Sequence, residues 1–414
     1  AVIVDTELNG FGASILDFPG GTVSFNTVVV NLDIDLADGA IVNVTNGMTL
    51  NATATVRGTN SATGFQFVNS QTLTGTGEVY FEPNENPVTN EPRLLPFNNT
   101  TLTVGSDITV RGGNATLGNF FGGLIFNGTL IADSNEDVLF IGGSPWSASQ
   151  ALRTSNGGRI QLYGTFNNSG GPVELDAVGT GLSVPNSVIL RDATLNGTAG
   201  TEVQFPSGTT TLDNVVLNTA TRHLDGAISN VTNGLTANNT ATIEAPSRAT
   251  GLQFNGNQSL IGSGNFVFDS AGNAVITEPR LLPFNNTTLT IGAGITIEGT
   301  RGTVGNGFGG LVMNGTVDAN VSGEQILIAG GWSGTGTLAA NNGGEIVLSG
   351  TLDNAGATFN LDTGGGELTI NNGTSLRNAT LVGASGTNMT FNGGSSTSLV
   401  NMVVDTDMTM VNGC

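Results

Sequence analysis

The sequence predicts an all-β chain, a right-handed parallel β-helix (a solenoid) with essentially no α-helix. Three observations lead to this fold class: short runs with apolar residues at every second position, Gly and Asn pairs between the runs, and a long internal repeat. Alternation with a period of two buries one face of a strand. Pairs such as NG, GG and NN supply turns, and nested repeats are typical of a solenoid.

The alternating runs recur along the whole chain. Leu102-Thr-Val104 and Ile108-Thr-Val110 are two of them, and Leu289-Thr-Ile291 and Ile295-Thr-Ile297 are later counterparts. No stretch combines a 3.6-residue apolar stripe with capping residues, so no helix is predicted. Such short strands favour coils of roughly 20 residues over the longer strands of a β-sandwich. Asn residues at successive corners are expected to form amide ladders.

The repeat has a period of 187 residues. Asn43-Val-Thr-Asn-Gly47 returns as Asn230-Val-Thr-Asn-Gly234, and Phe121-Gly-Gly-Leu124 returns as Phe308-Gly-Gly-Leu311. No linker or change of composition separates the copies, so the chain is predicted to run through them as one continuous solenoid.

The repeat divides the chain into three copies. The first spans residues 1–187, the second 188–374, and the third begins at 375 and runs to 414. The third copy stops in mid-pattern at Cys414, where the other copies have Ala. We therefore expect the 414 residues to be a segment of a longer tandem array.

Composition narrows the function classes. The chain has 11 arginines, no lysine and 32 acidic residues, which gives a net charge of -21. Such a surface repels nucleic acid and anionic membranes, although it would attract a diffuse cloud of Ca²⁺. One cysteine excludes an internal disulfide, and no apolar run approaches the ~18 residues of a membrane helix. We expect an extracellular or cell-surface location, no membrane span, no nucleic-acid partner and no cofactor.

One segment is repeated far more closely than the rest. Residues 90–103 read NEPRLLPFNNTTLT and residues 277–290 read TEPRLLPFNNTTLT, with thirteen consecutive residues identical. Because proline cannot donate to a strand ladder, the segment is predicted to be the returning leg of a loop outside the continuous strands.

Two interpretations of this segment remain open. Its apolar residues pack back over a coil of the same chain, or they contact a neighbouring chain or copy with a polar rim around them. The candidate assembly-contact residues are Glu91, Arg93, Leu94, Leu95, Phe97, Glu278, Arg280, Leu281, Leu282 and Phe284.

The only two tryptophans, Trp146 and Trp332, follow Gly-Gly at matching places in the two copies. An exposed indole would stack on a sugar or on a partner chain. A ring folded over the edge of a coil is equally compatible with the sequence.

Residues suited to catalysis or to metal binding are few. His223 is the only histidine, and Leu36 is its counterpart, so a repeated Ser-His-Asp triad is excluded. Asp33, Asp35 and Asp38 hint at a calcium loop. Only the last is kept as an acid in the second copy, so no dedicated metal site is predicted.

A pair of carboxylates persists between the copies. Glu82 and Glu91 correspond to Asp269 and Glu278, and two carboxylates at a fixed separation are what a glycoside hydrolase requires. We interpret them as solvated loop acids, so no catalytic residue is predicted and the chain is not expected to be an enzyme.

Several phrases of the sequence resemble the repeats of bacterial surface β-helix proteins. They are Leu73-Thr-Gly-Thr-Gly-Glu-Val79, Ser333-Gly-Thr-Gly-Thr-Leu338 and Asn342-Gly-Gly-Glu-Ile-Val-Leu-Ser-Gly-Thr-Leu352. The similar proteins are filamentous-haemagglutinin-like proteins, autotransporter passenger domains and giant β-strand-repeat proteins. The resemblance implies a secreted, cell-surface or matrix β-helix that adheres or forms fibres, and it carries over no catalytic residue.

The expected function is therefore that of an extracellular structural or adhesive protein, a rod or filament built from tandem units. Its expected partners are further copies, packed head to tail or laterally, and cell-surface polysaccharide. Two alternatives remain open. One is a carbohydrate-active β-helix, such as a polysaccharide lyase, a hydrolase or a phage tailspike-like depolymerase. The other is a sugar-binding adhesin that uses the tryptophans.

Overall fold

The chain folds into two parallel β-solenoid units, Ala1–Gln204 and Phe205–Cys414. A computed structural model describes residues 1–83, 92–135, 137–168, 172–177, 181–272, 279–354, 358–362, 366–383, 388–392 and 397–410. These described residues contain 46 β-strands and no helix, and every pairing given below is parallel. The predicted all-β parallel β-helix is confirmed.

The strands follow one another along the chain with short connections. Strands β1 to β23 are β1 (Val2–Asn9), β2 (Ile15–Phe18), β3 (Gly21–Asn31), β4 (Asp33–Leu36), β5 (Ala40–Leu50), β6 (Thr53–Val56), β7 (Thr63–Phe67), β8 (Gln71–Thr74), β9 (Glu78–Phe81), β10 (Pro92–Pro96), β11 (Thr101–Val104), β12 (Thr109–Gly112), β13 (Ala115–Leu117), β14 (Gly123–Phe126), β15 (Thr129–Ala132), β16 (Val138–Ala148), β17 (Leu152–Thr154), β18 (Arg159–Asn167), β19 (Val173–Ala177), β20 (Leu182–Ser183), β21 (Ile189–Arg191), β22 (Thr194–Gly197) and β23 (Glu202–Phe205). Strands β24 to β46 are β24 (Gly208–Asn218), β25 (Ala220–His223), β26 (Ala227–Ala237), β27 (Ala241–Glu244), β28 (Thr250–Phe254), β29 (Gln258–Ile261), β30 (Asn265–Asp269), β31 (Pro279–Pro283), β32 (Thr288–Ile291), β33 (Thr296–Gly299), β34 (Gly302–Met313), β35 (Thr316–Ala319), β36 (Gln325–Ser333), β37 (Thr337–Ala340), β38 (Glu345–Asp353), β39 (Thr358–Asp362), β40 (Glu367–Ile370), β41 (Ser375–Arg377), β42 (Thr380–Gly383), β43 (Asn388–Phe391), β44 (Ser398–Val400), β45 (Val403–Asp405) and β46 (Asp407–Met410).

The coil of the first unit has three faces, each a parallel sheet. The first face stacks the N-terminal parts of β1, β3, β5, β16 and β18 with β7, β10, β13, β20 and β23. The second stacks the C-terminal parts of those long strands with β8, β11, β14 and β21. The third stacks β2, β4, β6, β9, β12, β15, β17, β19 and β22.

The second unit has the same plan. Its first face holds the N-terminal parts of β24, β26, β34, β36 and β38 with β28, β31, β40, β43 and β46. Its second face holds the C-terminal parts of those long strands with β29, β32, β41 and β44. Its third face holds β25, β27, β30, β33, β35, β37, β39, β42 and β45.

The alternation seen in the sequence becomes an interior ladder of apolar side chains. Leu36, Val56 and Phe81 pair one above another on the third face of the first unit, and all three are fully buried. The residues between them point outward because successive side chains of a strand face opposite ways. Each such buried side chain contributes about 2 kcal/mol through the hydrophobic effect.

Asparagines build the corners, as the sequence predicted, but their ladder runs along the surface. Asn31 Nδ2 donates to Asn9 Oδ1 at 2.8 Å, and Asn51 Nδ2 donates to Asn31 Oδ1 at 2.8 Å. At other corners Asn46 and Asn233 adopt the left-handed conformation, with φ of 60° and 57°. Asparagine enters that region more readily than other residues with a side chain, which explains its frequency here.

The sequence repeat is not a whole number of coils, so corresponding residues of successive copies lie on neighbouring faces. Residues 2–4 lie on the first face of the first unit, whereas their counterparts 189–191 pair with Thr165–Asn167 on its second face. Within the second unit, Leu212 lies on the first face and its counterpart Leu399 on the second. One copy therefore advances by whole turns plus one third of a turn, so the same sequence must fit more than one face.

Candidate functional site

The segment that is identical in the two copies forms strands of the solenoid. Pro92–Pro96 pairs residue by residue with Thr63–Phe67 of the preceding coil, and Pro279–Pro283 pairs in the same way with Thr250–Phe254. The prediction that these prolines lie in a loop outside the strands is wrong. The residues before them, 84–91 and 273–278, lie outside the described part of the chain.

The direction of the backbone N–H groups explains why the prolines are accommodated. Phe97 N donates to Phe67 O of the preceding coil at 2.8 Å, while Leu94 O accepts from Gly118 N of the following coil at 3.0 Å. Because N–H directions alternate along a strand, the nitrogens of Pro92 and Pro96 face the following coil. The strand paired there reaches only Arg93 and Leu94, so neither proline interrupts a ladder bond.

Close contact with glycines on both sides restricts the segment. A Cβ added to Gly64 would collide with the carbonyl oxygen of Arg93, and one added to Gly251 would collide with that of Arg280. On the following coil, a Cβ on Gly122 would lie 2.5 Å from Thr100 O. Backbone touches backbone here, so none of these three glycines can gain a side chain unless a strand moves.

An asparagine on the next coil closes the corner that follows each segment. Asn119 donates from Nδ2 to Pro96 O at 2.5 Å, and its Oδ1 accepts from Phe121 N at 2.9 Å. Asn306 does the same for Pro283 O and for Phe308 N, the latter at 2.9 Å. One amide thus fixes the end of the segment and the start of the next turn in both units.

The turn after the segment has the same geometry in both units. Asn98 and Asn285 adopt left-handed conformations with φ of 55° and 56°. The hydroxyl of Thr100 donates to Phe97 O at 2.6 Å, and that of Thr287 donates to Phe284 O at 2.7 Å. These bonds hold the phenylalanine backbone while leaving the ring outside the coil.

Two phenylalanine rings are exposed at this corner at matching positions in both units, and the first unit exposes a third, Phe120. Phe97 is 46% exposed and Phe121 75% in the first unit; Phe284 is 46% exposed and Phe308 83% in the second. In the second unit they border an open cavity of about 660 Å³. We call each set the phenylalanine corner: Gln66, Leu95, Pro96, Phe97, Asn98, Asn119 and Phe121, and their counterparts Gln253, Leu282, Pro283, Phe284, Asn285, Asn306 and Phe308.

The predicted contact residues divide by burial. Leu94 and Leu281 are fully buried and belong to the interior ladder, so they are unavailable as assembly contacts. Leu95 and Leu282 are half-buried beside the corner. The candidates that point outward with intermediate or greater exposure are Arg93, Leu95, Phe97, Arg280, Leu282 and Phe284; Glu91 and Glu278 lie outside the described residues.

Of the two interpretations of the tryptophans, their burial supports the ring that belongs to the coil. Trp146 is 1% exposed and Trp332 is 2% exposed. Trp146 packs on Phe166 with ring centroids 4.4 Å apart, and its Nε1–H donates to Tyr163 O at 3.1 Å. Both indoles are core side chains, placed inward because they occupy the inward-facing positions of their strands.

His223 lies inside the second unit, where its ring stacks on Phe205 with centroids 4.4 Å apart. Its Nε2 is 3.0 Å from Ser229 Oγ, which is 3.0 Å from Thr210 Oγ1. Burial lowers the pKa of His223 to about 3, since a charged ring would be desolvated there. The three polar side chains are at most 2% exposed, so a substrate has no access to this serine–histidine pair.

The three aspartates that hinted at a calcium loop serve separate neighbours. Asp33 Oδ1 accepts from Thr53 N at 2.9 Å, and Asp35 Oδ1 accepts from Arg57 Nε at 2.7 Å. Asp38 caps a corner, as described next. No group of three or more metal-ligating side chains occurs among the described residues.

Asp38 binds a row of backbone N–H groups on the next coil. Its Oδ1 accepts from Thr59, Asn60 and Ser61, each at 2.9 Å. The N–H groups of Asn60 and Thr59 are the main reason that the pKa of Asp38 is lowered, because they favour the charged carboxylate. Asp225 accepts two backbone N–H groups at the equivalent corner.

The structure describes one carboxylate of each pair considered for hydrolysis. Glu82 forms an ion pair with Arg57. Asp269 accepts from Ala271 N at 3.0 Å. Their proposed partners Glu91 and Glu278 lie outside the described residues, so no carboxylate separation follows for either pair.

Sequence reasoning missed Asn119, Asn306, Phe121 and Phe308. A signal was present, since Phe121-Gly-Gly-Leu124 is repeated one copy later. The repeated motif could not be connected to the identical segment, because nothing in the sequence shows that the two lie on neighbouring coils.

The class defined by this architecture is an all-β parallel solenoid with a repeated, partly apolar corner. Comparison of the chain with protein-family models, with curated proteins and with solved structures gives no significant match. A search of the described residues for a helix long and apolar enough to cross a bilayer finds none.

Proposed function

We propose that this chain is a structural and adhesive segment of a tandem solenoid array displayed outside the cell. The observation that carries the proposal is the phenylalanine corner, which each unit displays with the same backbone geometry and the same exposed pair of rings. Exposed aromatic pairs mark contact surfaces more often than isolated apolar residues do. An array that repeats one weak contact gains avidity with every copy.

The surface charge supports the extracellular and non-catalytic parts of the proposal. Five arginines are engaged by carboxylates: Arg57, Arg111, Arg153, Arg222 and Arg301. The net charge of -21 keeps copies soluble and apart except where a specific contact forms. Adhesion would then be confined to the uncharged corner.

Electron microscopy and a product-release assay test the proposal together. The proposal expects elongated particles and no release of sugar from neutral or acidic polysaccharides. Compact globules would contradict the array. Product release that disappears in a Glu82→Gln variant would instead establish the carbohydrate-active alternative, while an Asp17→Asn variant, an acid without a counterpart in that pair, controls for loss of charge.

A further inference from the structure

Each unit also has a groove along one edge of the coil, at the same place in the repeat, lined by amides and hydroxyls together with a few apolar side chains. The first groove has a volume of about 470 Å³ and runs past Thr27, Asn46 and Thr72. The second has a volume of about 430 Å³ and runs past Asn233 and Ser259. Among the described residues that line either groove, none has a titratable side chain.

A glutamine anchored by the main chain holds the floor of each groove. Gln71 Oε1 accepts from Gly47 N at 2.6 Å, and Gln258 Oε1 accepts from Gly234 N at 2.6 Å. Gln258 Nε2 also donates to Asn255 O at 2.6 Å. With its floor tied to backbone groups, the groove presents hydroxyl and amide groups in a preorganised arrangement.

Each groove continues into the phenylalanine corner of its own unit. Ser70, in the first groove, accepts from Thr101 N on the coil that carries Phe97, at 3.1 Å. Asn257, in the second groove, accepts from Thr288 N at 2.9 Å in the same way. Along this edge, three coils present hydroxyls and amides, and the next two coils present exposed phenylalanine rings. With one strand spacing per coil, the five coils form a track roughly 20 Å long. We call this track the corner ledge.

We propose that the corner ledge binds an uncharged polysaccharide chain laid along the edge of the coils. Sugar hydroxyls require both donors and acceptors, which the amides and hydroxyls supply, while the C–H faces of sugar rings pack on phenylalanine. A chain with a net charge of -21 disfavours an anionic glycan and also a second copy of itself. The inference rests on the proposed adhesive function, for which it names the substrate class.

Affinity electrophoresis of the full chain through gels containing a neutral β-glucan, a mannan or polygalacturonate tests the ledge. We expect at least one neutral polymer to retard the protein and polygalacturonate to have no effect. The variant Phe97→Ala, Phe121→Ala, Phe284→Ala, Phe308→Ala should bind about tenfold more weakly, which corresponds to about 1.4 kcal/mol. Phe11→Ala removes a ring that is 94% exposed and lies off the ledge, so it should bind like the wild type.

A second pair of variants tests the polar half. Thr72→Arg with Ser259→Arg fills the two grooves from exposed positions and should weaken retardation to a similar degree. Thr22→Arg, on an exposed site away from the ledge, adds the same side chain and should leave binding unchanged.

Three results would overturn the ledge. The first is that no neutral polymer retards the protein, and the second is that polygalacturonate retards it equally. The third is that the wild-type protein self-associates without binding sugar and the four-phenylalanine variant no longer self-associates. Elongated particles with no product release would leave the proposed function intact in all three cases, so the two failures are distinguishable.

Discussion

At one place the two units keep the same cross-coil ion pair with its charges exchanged. In the first unit, Arg57 Nε bonds Asp35 Oδ1 at 2.7 Å; in the second, Arg222 Nε bonds Glu244 Oε1 at 2.6 Å. Arg222 occupies the position of Asp35, and Glu244 that of Arg57. The stacking of neighbouring coils therefore accepts either arrangement of the two charges at this pair of positions.

The cores of the units differ in a comparable way. Thr210, His223 and Ser229 form a hydrogen-bonded cluster in the second unit, where the first unit has Val23, Leu36 and Val42. Polar groups are tolerated in a core when they bond one another, and here three positions changed together. The cluster leaves one buried nitrogen unsatisfied, because His223 Nδ1 makes no hydrogen bond to any described residue.

The identical segment shows the opposite behaviour. Pro92–Pro96 and Pro279–Pro283 are identical in the two units, and the preceding coil touches their backbone directly at Gly64 and Gly251. A side-chain pair can be compensated by its partner, whereas Gly64 and Gly251 face a backbone oxygen that no side-chain substitution removes. We therefore expect large losses of stability at the glycines that touch backbone and small losses at exposed side-chain pairs.

The largest effect is expected at Gly64 and Gly251, which we call the glycine clamp because each touches the carbonyl oxygen of an arginine on the next coil. Gly251→Ala places a methyl group against Arg280 O at a backbone φ of 144°, and we expect a loss of about 3 kcal/mol or more from the free energy of unfolding. Gly64→Ala should do the same in the first unit. Urea unfolding measures both.

Gly234→Ala is the matched control for the clamp. Its φ is 93°, and its nearest neighbouring atom would be Ser259 O at 3.9 Å, so only the conformational cost of about 1–2 kcal/mol remains. Equal losses for Gly251→Ala and Gly234→Ala would show that the close approach to the segment has no importance.

An intermediate effect is expected from the buried histidine. The pKa of His223 is about 3 in the folded state and about 6.5 when unfolded, so the unfolded chain takes up a proton first as the pH falls. The neutral ring's contribution to the free energy of unfolding is complete above about pH 6.5 and is lost progressively toward pH 3. Between pH 7 and pH 5 the free energy of unfolding should fall by about 2 kcal/mol for this reason.

The first unit supplies the control for this pH dependence. Thr210→Val with His223→Leu and Ser229→Val installs the residues of the first unit, and the variant should lose the histidine component of the pH slope. Urea unfolding at both pH values compares the two proteins. An unchanged slope would mean that His223 is not buried as a neutral ring.

The smallest effect is expected at the exchanged ion pair. The hydrogen bond with Glu82 is the main reason that the pKa of Arg57 is raised, with Asp35 adding to it. Because Arg57 is about 41% exposed, Arg57→Glu should cost only about 1 kcal/mol. Asp35→Arg combined with Arg57→Glu should restore part of that loss, as in the second unit. A double-mutant cycle at low and high salt measures it, and additive losses would contradict the pairing.

Much of the fold was predictable from local pattern, and much of the site was not. The runs Leu102-Thr-Val104 and Leu289-Thr-Ile291 form strands as predicted, because alternation in one strand is sufficient to specify its buried face. The prolines were misjudged because whether a missing N–H matters depends on how far the neighbouring coil's strand extends. The tryptophans were undecided for the same reason: burial of a ring after Gly-Gly depends on which way its strand faces.

The sequence by itself determined the all-β class, the parallel solenoid and the internal repeat, since each follows from periodicity within the chain. Only the tertiary structure decided which residues meet across coils. It placed Asn119 beside Pro96, set the repeat one face out of step with the coil, and brought Gly64 and Gly251 against the carbonyl oxygens of Arg93 and Arg280. The physical reason is that coil stacking joins residues 18 or more positions apart, and their register depends on every turn between them.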